Sequence, residues 1–435
     1  MSKRTGSANL PLHGGHVPSW LATRMAALGR VMAEAIVHHY GRDELLRRLA
    51  HPFWFQSLGA VMGMDWHSSG ITTSVIAALQ RGLAPVRREL GIYVCGGKGL
   101  RGRDTPSQLT RLGEETGVDA AALTHASRLV AKVDGAALQD GFDLYLHAFI
   151  ATPAGRWCVV QQGMNPGRRE ARRYHWLSEH LDSFLDSPHA AVDGRHQGVI
   201  VNLADARAAR SRDVSLELLR SGPDRTIATL RRLRDRTHPA LSLFPQLDAP
   251  FETQPDAHIR PAAPLPRLQL PAHHEVRASD VVLRRLHAAL AAAAERGPED
   301  FSELLLTPGI GARCVGALAL VAEVIHGAPS RFSDPARFSM AHGGKDGHPF
   351  PVPLKVYDQT IRVLKQAVTA ARIGNDDRLA AIGRLDAQAR WLERVADGGP
   401  GFDALIAEER RRSHQYGGRT VFGAAHAPAG DAARG

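Results

Sequence analysis

Cysteine, long apolar runs and a secretory leader are what this 435-residue sequence has least of. Its three cysteines are far apart and form no CxxC pair. This excludes a disulfide framework and a cysteine-based zinc site, and it favours a reducing, cytoplasmic compartment. No segment reaches the roughly 18 to 20 consecutive apolar residues that a membrane span needs. The N-terminus begins with basic residues but no apolar region follows them, so neither a secretory signal nor a membrane protein is predicted.

An excess of positive charge is the main feature that is present. Lysine and arginine total 54 against 44 acidic residues, a formal net charge of +10 at pH 7. This balance favours a polyanionic partner, with DNA first and RNA as an alternative, and with it a location on the nucleoid. Arginine supplies most of the excess, and its planar guanidinium suits phosphate. The explanation left open is that an alanine-, arginine- and glycine-rich composition reflects the coding bias of the genome.

The chain length and a proline-rich segment predict two domains and an α+β fold. A mixed α/β domain, with any catalytic role, is expected over residues 1–240. Residues 244–275 are predicted to be a linker, because their seven prolines exclude a regular helix. An all-helical domain that contains a helix-hairpin-helix follows over 276–396, and a disordered tail is predicted over 411–435.

Apolar periodicity places the regular elements. The 3.6-residue period predicts helices in the first domain over 19–41, 43–50, 71–83, 214–222 and 224–236 and in the second over 278–297, 298–306, 312–326, 354–374 and 376–399. Strands are predicted over 90–99 and 196–205. Two largely apolar runs around a Thr-Pro-Ala-Gly turn predict a β-hairpin over 141–164.

The stretch TPGIGARCVGALALVAEVIHG, residues 307–327, is the most informative motif. Helix, Pro-Gly-Ile-Gly, helix is the pattern of a helix-hairpin-helix element. The glycines let the backbone turn tightly and approach a ligand, and the start of the second helix offers unpaired N–H groups to a phosphate. The predicted DNA-binding residues of the motif are Gly309, Ile310, Gly311, Ala312 and Arg313. The alternative is a tight turn between helices that holds no ligand.

The motif also resembles the hairpin of helix-hairpin-helix DNA glycosylases, with one difference that bears on chemistry. In that family a lysine can stand two residues after the second glycine, with an aspartate further along the chain. Here Arg313 stands in the lysine position and cannot form a Schiff base, and Asp334 is the nearest later aspartate. The resemblance implies binding of the DNA backbone and disfavours a bifunctional glycosylase, while a monofunctional one stays open.

Two glycine loops carry basic residues that suit phosphate. GGKG at 96–99 contains Lys98, which is predicted to contact DNA with the nearby arginines at 101 and 103. This loop is not a P-loop, because GxxxxGK[ST] is absent. The second loop, AHGGKDGHPFPVP at 341–353, contains Lys345, a further predicted DNA contact. Mobile or solvated surface loops are the alternative for both.

Polar residues in the first domain are the candidates for chemistry. A nuclease activates water with carboxylates that hold Mg²⁺ or Mn²⁺, or with a histidine base. The predicted catalytic residues are Asp65, His67, Asp143 and Gln161, with Tyr174 expected on a later helix. The predicted metal ligands are His13, His16, Asp65 and His67, a mixture that also suits Zn²⁺. A structural, hydrogen-bonded role for each histidine is the alternative.

Longer motifs resemble one family over most of the chain. They are KRTGSANLPLHGGHVPSWL, HPFWFQSLGAVMGMDWHSSGITT, VCGGKG, VQQGMN with RRYHWLS, and RFSDPARFSMAHGGKDGHPFPVP. By these motifs the chain resembles the DUF763 family of prokaryotic proteins. The resemblance implies no particular chemistry, but it does imply that the two halves occur together and that the hairpin serves one integrated protein.

These features predict a DNA-binding protein that grips the phosphate backbone and acts as a metal-dependent nuclease or a DNA-repair factor. Two alternatives remain at this point. One is an accessory protein that binds DNA without chemistry. The other is an enzyme acting on a small phosphorylated ligand, in which the hairpin is only a turn.

Overall fold

The structure, a computed structural model, describes residues 10–11, 17, 19–62, 64, 69–168, 170–235, 276–336, 411, 419–420 and 423–424. Its α-helices are α1 Ser19–Tyr40, α2 Arg42–Ala50, α3 Pro52–Val61, α4 Gly70–Leu83, α5 Arg87–Leu90, α6 Leu100–Arg103, α7 Thr105–Thr116, α8 Ala120–Lys132, α9 Ala209–Arg220, α10 Pro223–Asp235, α11 Val276–Arg296, α12 Phe301–Leu306 and α13 Ala312–His326. Its strands are β1 Leu10–Pro11, β2 Tyr93–Lys98, β3 Leu138–Gln139, β4 Asp143–Ala151, β5 Trp157–Asn165, β6 Glu170–Leu177, β7 Ala191–Asp193, β8 Val199–Asn202, β9 Arg331–Ser333, β10 Arg419–Thr420 and β11 Gly423–Ala424. A π-helical turn, Val133–Ala137, follows α8.

An antiparallel sheet of six strands organises the N-terminal region. The strand order is β1-β6-β5-β4-β2, and β7 pairs with β6. The predicted hairpin is confirmed as β4 and β5, with Ala151 opposite Trp157 and Asp143 opposite Met164. Gly155 has φ +77° in the turn that joins them, a conformation that favours glycine. A local turn and two apolar runs are therefore enough to form the centre of the sheet.

Helices cover both faces of this sheet. On one face α1 to α4 pack on strand residues such as Leu146, Ile150 and Val160. On the other face α7 and α8 pack on Phe149 and Val159. Strands that are covered on both sides bury successive side chains, which is why the β4 and β5 sequences read as continuous apolar runs.

The helices after residue 275 share the core of the second face. Leu290 of α11, Leu304 of α12 and Leu318 of α13 belong to the same buried cluster as Leu129 of α8 and Leu219 of α9. Strand β9 pairs with β8 and extends a three-stranded sheet with β3. The hydrophobic core is thus continuous between the two regions, while the predicted domain boundaries remain predictions.

Most predicted elements of the described chain are found. The structure has an N-terminal α/β region with antiparallel sheets and a helical part after it, as the predicted fold class requires. Helices α1, α2, α4 and α10 to α13 lie within three residues of their predicted bounds, whereas α9 begins five residues before its predicted start. Tyr174 was wrongly placed on a helix and lies on β6. The helices predicted over 354–374 and 376–399 lie outside the described residues, and the pair β10–β11 lies within the predicted tail.

No helix in the described part of the chain is long and apolar enough to cross a membrane. Helix α1, with 22 residues, is the longest of these helices, and it packs against α4 and α2.

Candidate nucleic-acid interface

The turn between α12 and α13 is formed by local capping. Asp300 accepts a hydrogen bond from Glu303 N at 2.8 Å, and the Glu303 side chain accepts one from the residue before Asp300 at 2.8 Å. These two bonds cap the start of α12 in the manner of a capping box, except that Glu303 accepts from the residue before the N-cap and not from the N-cap itself. After the helix, Ile310 N donates to Thr307 O at 3.1 Å, and Gly309 has φ +88°. A residue with a side chain is strained in that conformation, so the turn itself requires Gly309.

Side chains of the α/β region hold the carbonyl groups of this turn. Lys132, the last residue of α8, donates to Ile310 O, and Gln139 of β3 donates to Ala312 O at 2.9 Å. Burial lowers the pKa of the Lys132 ammonium. The Cys314 thiol lies 3.7 Å from Gly309 O, to which it donates. The carbonyl groups of the turn therefore point into the protein.

The start of α13 is exposed and has no side-chain cap. Gly311 is the N-cap residue, with φ −146°, and because glycine has no side chain it offers no acceptor to the first N–H groups of the helix. Ala312 and Arg313 are exposed, whereas Ile310 is buried. The first N–H groups of a helix lack partners within the helix and carry the positive end of its dipole. An anion placed here would accept from these groups, and Arg313 lies beside them to add its charge.

The GGKG loop predicted at 96–99 is the end of β2, with Gly99 as the N-cap residue of α6, and hydrogen bonds fix it from three directions. Gln80 of α4 donates to Gly96 O at 2.7 Å, and Gln108 of α7 accepts from Gly96 N at 2.8 Å. Gly99 N donates to Tyr145 O of β4 at 2.8 Å. The loop is thus a rigid extension of the sheet edge.

Cations of this loop lie on the surface. Lys98, Arg101 and Arg103 are all exposed. The Lys98 ammonium lies 5.9 Å from the centre of the Tyr145 ring, a cation–π distance. None of the three forms an ion pair with an acid within the described chain. The loop is therefore a second basic surface, in addition to the turn before α13.

A chain of hydrogen bonds crosses the buried face of the sheet. Ser127 Oγ lies 2.8 Å from His147 Nε2, and His147 Nδ1 lies 2.7 Å from Gln161 Oε1. Gln161 Nε2 donates to Asp134. Because the amide oxygen of Gln161 can only accept, His147 Nδ1 carries the proton. His147 Nε2 then accepts from the Ser127 hydroxyl, and burial lowers the pKa of His147 and keeps the ring neutral.

The same chain of hydrogen bonds ends at Asp134, whose two carboxylate oxygens both accept hydrogen bonds. Trp176 Nε1 donates to Asp134 Oδ2 at 2.9 Å, and His189 Nε2 lies 2.5 Å from Asp134 Oδ1. Both ring nitrogens of His147 are also occupied. The chain therefore fixes α8 and the π-helical turn on the sheet and leaves no free group for a substrate. Over the described residues, no cluster of three or more histidine, cysteine, aspartate or glutamate side chains could hold a metal ion.

Asp143 and Gln161 both lie on the hairpin, but the structure does not bring them together. Asp143 is exposed and lies opposite Met164, whereas Gln161 is buried and lies opposite His147. Met164 and Gln161 are three residues apart on β5, which places the two candidates about 10 Å apart along the strand direction. Tyr174 is the neighbour of Gln161 on β6.

Five predicted site residues lie outside the described residues: His13, His16, Asp65, His67 and Lys345. They include every predicted metal ligand. The metal site, its Mg²⁺ or Mn²⁺, and the nuclease activity that depends on it therefore stay predictions.

Two buried arginines on β6 were missed from the sequence. Arg172 donates to Asp140 at 2.7 Å and to Asp334 at 2.6 Å, and Arg173 donates to Asp193 at 2.6 Å. All five side chains are buried. Asp334, the nearest aspartate after the turn, is thus committed to an ion pair and is not available as a base. The signal that could have found the pair is RR within an otherwise apolar and aromatic strand, EARRYHWL.

The chain was compared with known proteins at the level of families, curated proteins and solved structures. A family model described as "Protein of unknown function (DUF763)" matches residues 6–352. This range is well over half of the 435 residues. The chain belongs to the DUF763 family. No curated protein and no solved structure matches it.

The DUF763 match contains both basic surfaces. It extends from before β1 to beyond β9, so the central sheet, the GGKG loop and the turn before α13 all lie within it. The family resemblance expected from the sequence motifs is confirmed. The regions 354–374 and 376–399, predicted to be helical, lie beyond the DUF763 match.

Proposed function

We propose that this protein binds the phosphate backbone of DNA and uses the turn between α12 and α13 as a helix-hairpin-helix element. The observation that carries the proposal is the exposed, uncapped start of α13 beside Arg313. The net charge of +10 supports a polyanionic ligand. Contacts of this kind recognise the shape and charge of the backbone, so binding is independent of base sequence.

The two glycines of the turn help to distinguish a DNA-binding element from a turn that holds no ligand. Gly309 is required by its positive φ, whatever the turn does. Gly311 has an extended φ of −146° that any residue can adopt, and a Cβ added there would meet no atom within 4 Å. Folding therefore does not require glycine at position 311. The missing side chain leaves room for a ligand to reach the N–H groups of α13.

Hydrogen bonds fix the turn to the α/β region, which suits a contact with DNA. Lys132 and Gln139 hold the carbonyl groups of the turn on α8 and β3, which belong to the α/β region. A phosphate held by α13 is thus fixed relative to the central sheet. Lys98 in the GGKG loop provides a second cationic surface on the same region, suited to a further backbone contact.

The test is a set of substitutions at the start of α13, with binding to a labelled duplex measured by fluorescence anisotropy over a range of salt. In Gly311→Asp the carboxylate caps the helix and occupies the site of the phosphate. We expect stability unchanged or raised by a few tenths of a kcal/mol, and DNA affinity reduced by about tenfold or more. Gly311→Asn caps the helix without the charge and is expected to weaken binding less.

Arg313→Gln is expected to weaken binding and to lower the salt dependence by about one counterion. Arg88→Gln is the matched control, because Arg88 is an exposed arginine of α5 whose charge is already offset by Glu115 at 3.2 Å. It should leave binding near that of the unmodified protein. No binding to duplex DNA at low salt, or binding that is indifferent to Gly311→Asp and Arg313→Gln, would contradict the proposal.

A further inference from the structure

Leu100, the first residue of α6 directly after GGKG, is an apolar side chain in a basic environment. It is 73% exposed, the highest value among the large hydrophobic residues that the structure describes. Single exposed leucines are common on protein surfaces, so exposure alone indicates nothing. What distinguishes Leu100 is the rigidity of its support and the charge around it.

The support is a short helix, α6, that is fixed to the sheet edge. Gly99 N, just before Leu100, donates to Tyr145 O at 2.8 Å, and Gly102 N donates back to Gly99 O at 3.1 Å. Thr105 Oγ1 donates to Gly102 O at 2.7 Å. A Cβ at position 102 would come within 3.1 Å of Gly97 O, so the backbone of α6 lies directly on the loop. Leu100 is therefore presented outward from a fixed position.

Positive charge surrounds this tip. Lys98 and Arg101 flank Leu100 in sequence, and Arg103 follows at the end of α6. All three are exposed, and Asp104 is the one acidic residue adjacent to them in the chain. An apolar tip with cations on both sides is complementary to a ligand that has anionic groups outside and apolar groups inside. A DNA duplex has this arrangement, with phosphates outside and stacked bases inside.

We infer that Leu100 is a wedge that inserts between adjacent base pairs of duplex DNA, while Lys98, Arg101 and Arg103 bind the flanking phosphates. The inference rests on the proposed DNA binding and adds a second contact that deforms the duplex. Leucine is among the side chains that unstack a base step in this way and kink DNA. In this arrangement the turn before α13 binds the DNA backbone, and the GGKG loop unstacks a base step.

An anionic membrane is the other surface with this chemistry, and the loop fits it less well. Stable attachment to a bilayer takes an extended apolar face or several inserted groups. In the described residues from 93 to 105, Leu100 is the one large apolar side chain that is exposed. One leucine is sufficient for a base step, because the gap between two base pairs accepts a single side chain.

The experiment uses the full chain and a duplex of repeated TA steps, which unstack most easily, with 2-aminopurine in place of several adenines. Unstacking of 2-aminopurine raises its fluorescence, and anisotropy of an end label reports binding in the same sample. The unmodified protein is expected to raise the 2-aminopurine signal. Leu100→Ala should abolish that rise and weaken binding by about tenfold or less, since it removes only the inserted side chain. Arg101→Gln with Arg103→Gln should weaken binding more steeply.

Val199→Ala is the matched control, because Val199 is 59% exposed on β8 and its loss removes a similar apolar group elsewhere. Binding without any 2-aminopurine response, or a response that Leu100→Ala leaves intact, overturns the wedge and leaves the hairpin contact standing. Absence of DNA binding overturns both. If the loop variants lose DNA binding and Arg313→Gln does not, the result supports the wedge and contradicts the contact proposed for the turn before α13. Leu100-dependent sedimentation with phosphatidylserine vesicles, without a DNA response, assigns the loop to a membrane and overturns the wedge.

Discussion

Arg172 lies between two carboxylates in the interior, 2.7 Å from Asp140 Oδ2 and 2.6 Å from Asp334 Oδ2. All three side chains are buried. Desolvation raises the pKa of Asp140, and the charge of Arg172 opposes that rise. Mutual attraction offsets the desolvation of such groups only while every partner is present. Removing one member therefore leaves the others as uncompensated buried charges.

Arg172→Met is expected to lower the free energy of unfolding by about 3 to 5 kcal/mol, because it leaves Asp140 and Asp334 buried without a cation. Urea unfolding followed by circular dichroism measures this change. Arg30→Met is the matched control: its ion pair with Glu34, at 2.7 Å, is on the surface and should be worth less than about 1 kcal/mol. Equal losses in the two variants would show that Arg172 is not a buried ionic centre.

The sequence did not predict this centre, and the reason is physical. Arginine pairs in a short segment are usually solvated, and the acids that neutralise Arg172 are 32 and 162 residues away along the chain. Gln161 is a second such case. It was predicted to be catalytic, whereas the structure shows it buried and bonded to His147 and Asp134, partners that could not be read from spacing.

At the scale of one element, helix α3 depends on a histidine at its N-terminus. His51 is the N-cap residue, and its Nδ1 accepts from Trp54 N at 3.4 Å. Only a ring with Nδ1 unprotonated can accept this bond. Burial lowers the pKa of His51 to about 4 in the folded protein, from about 6.5 in an unfolded chain. The fold therefore requires the neutral ring.

We expect the contribution of His51 to be fully present above about pH 6.5 and to be lost as the pH falls toward 4, because the unfolded chain binds the proton first. The loss from this group amounts to at most about 3 kcal/mol. His51→Asn keeps a side-chain acceptor for the cap and does not titrate. Its stability should fall less steeply between pH 6.5 and pH 4 in urea unfolding at several pH values. Parallel pH profiles for the two proteins would contradict the assignment.

The turn between α12 and α13 gives a second prediction at this scale. Gly309 has φ +88°, where a side chain is strained, whereas Gly311 has φ −146° and open space around it. Gly309→Ala should therefore cost about 1 to 2 kcal/mol of unfolding free energy. Gly311→Ala should cost less, about 0.5 to 1 kcal/mol, because its only penalty is that alanine caps a helix less well than glycine. Thermal unfolding of the two variants side by side distinguishes them, and a reversed order would be inconsistent with the turn described here.

Elements with a strong local signal were predictable, and those formed by distant partners were not. The hairpin of β4 and β5 has its own turn, and α13 has a glycine start and a periodic apolar face. Strand β6, by contrast, carries two arginines that look like surface residues, so Tyr174 was assigned to a helix. The hydrogen bonds from Lys132 and Gln139 to the turn before α13 also join residues more than 170 positions apart, so no local sequence pattern could have predicted them.

For the whole molecule, the continuity of the core decides how the two regions behave. Leu304 and Leu318 pack in one cluster with Leu129 and Leu219, although residues 236–275 separate them in sequence. The β8–β9 pairing makes a second connection, with Ile200 opposite Phe332. Buried apolar contact, a strand pair and the Arg172 ion pair to Asp334 therefore all join the same two regions. These regions are expected to fold as one cooperative unit.

A protease site inserted between residues 236 and 275 tests this expectation. After cleavage the two pieces should stay associated in gel filtration, because separation would expose the apolar faces of α12 and α13 to water. Urea should unfold the cleaved protein in one transition, followed both by tryptophan fluorescence and by circular dichroism. Arg172→Met removes one of the connections, so its cleaved form should separate at a lower urea concentration. Two independent transitions, or pieces that separate without denaturant, would show that the helices after residue 275 form an autonomous domain. The DNA contact proposed for the turn before α13 would then not be fixed to the central sheet.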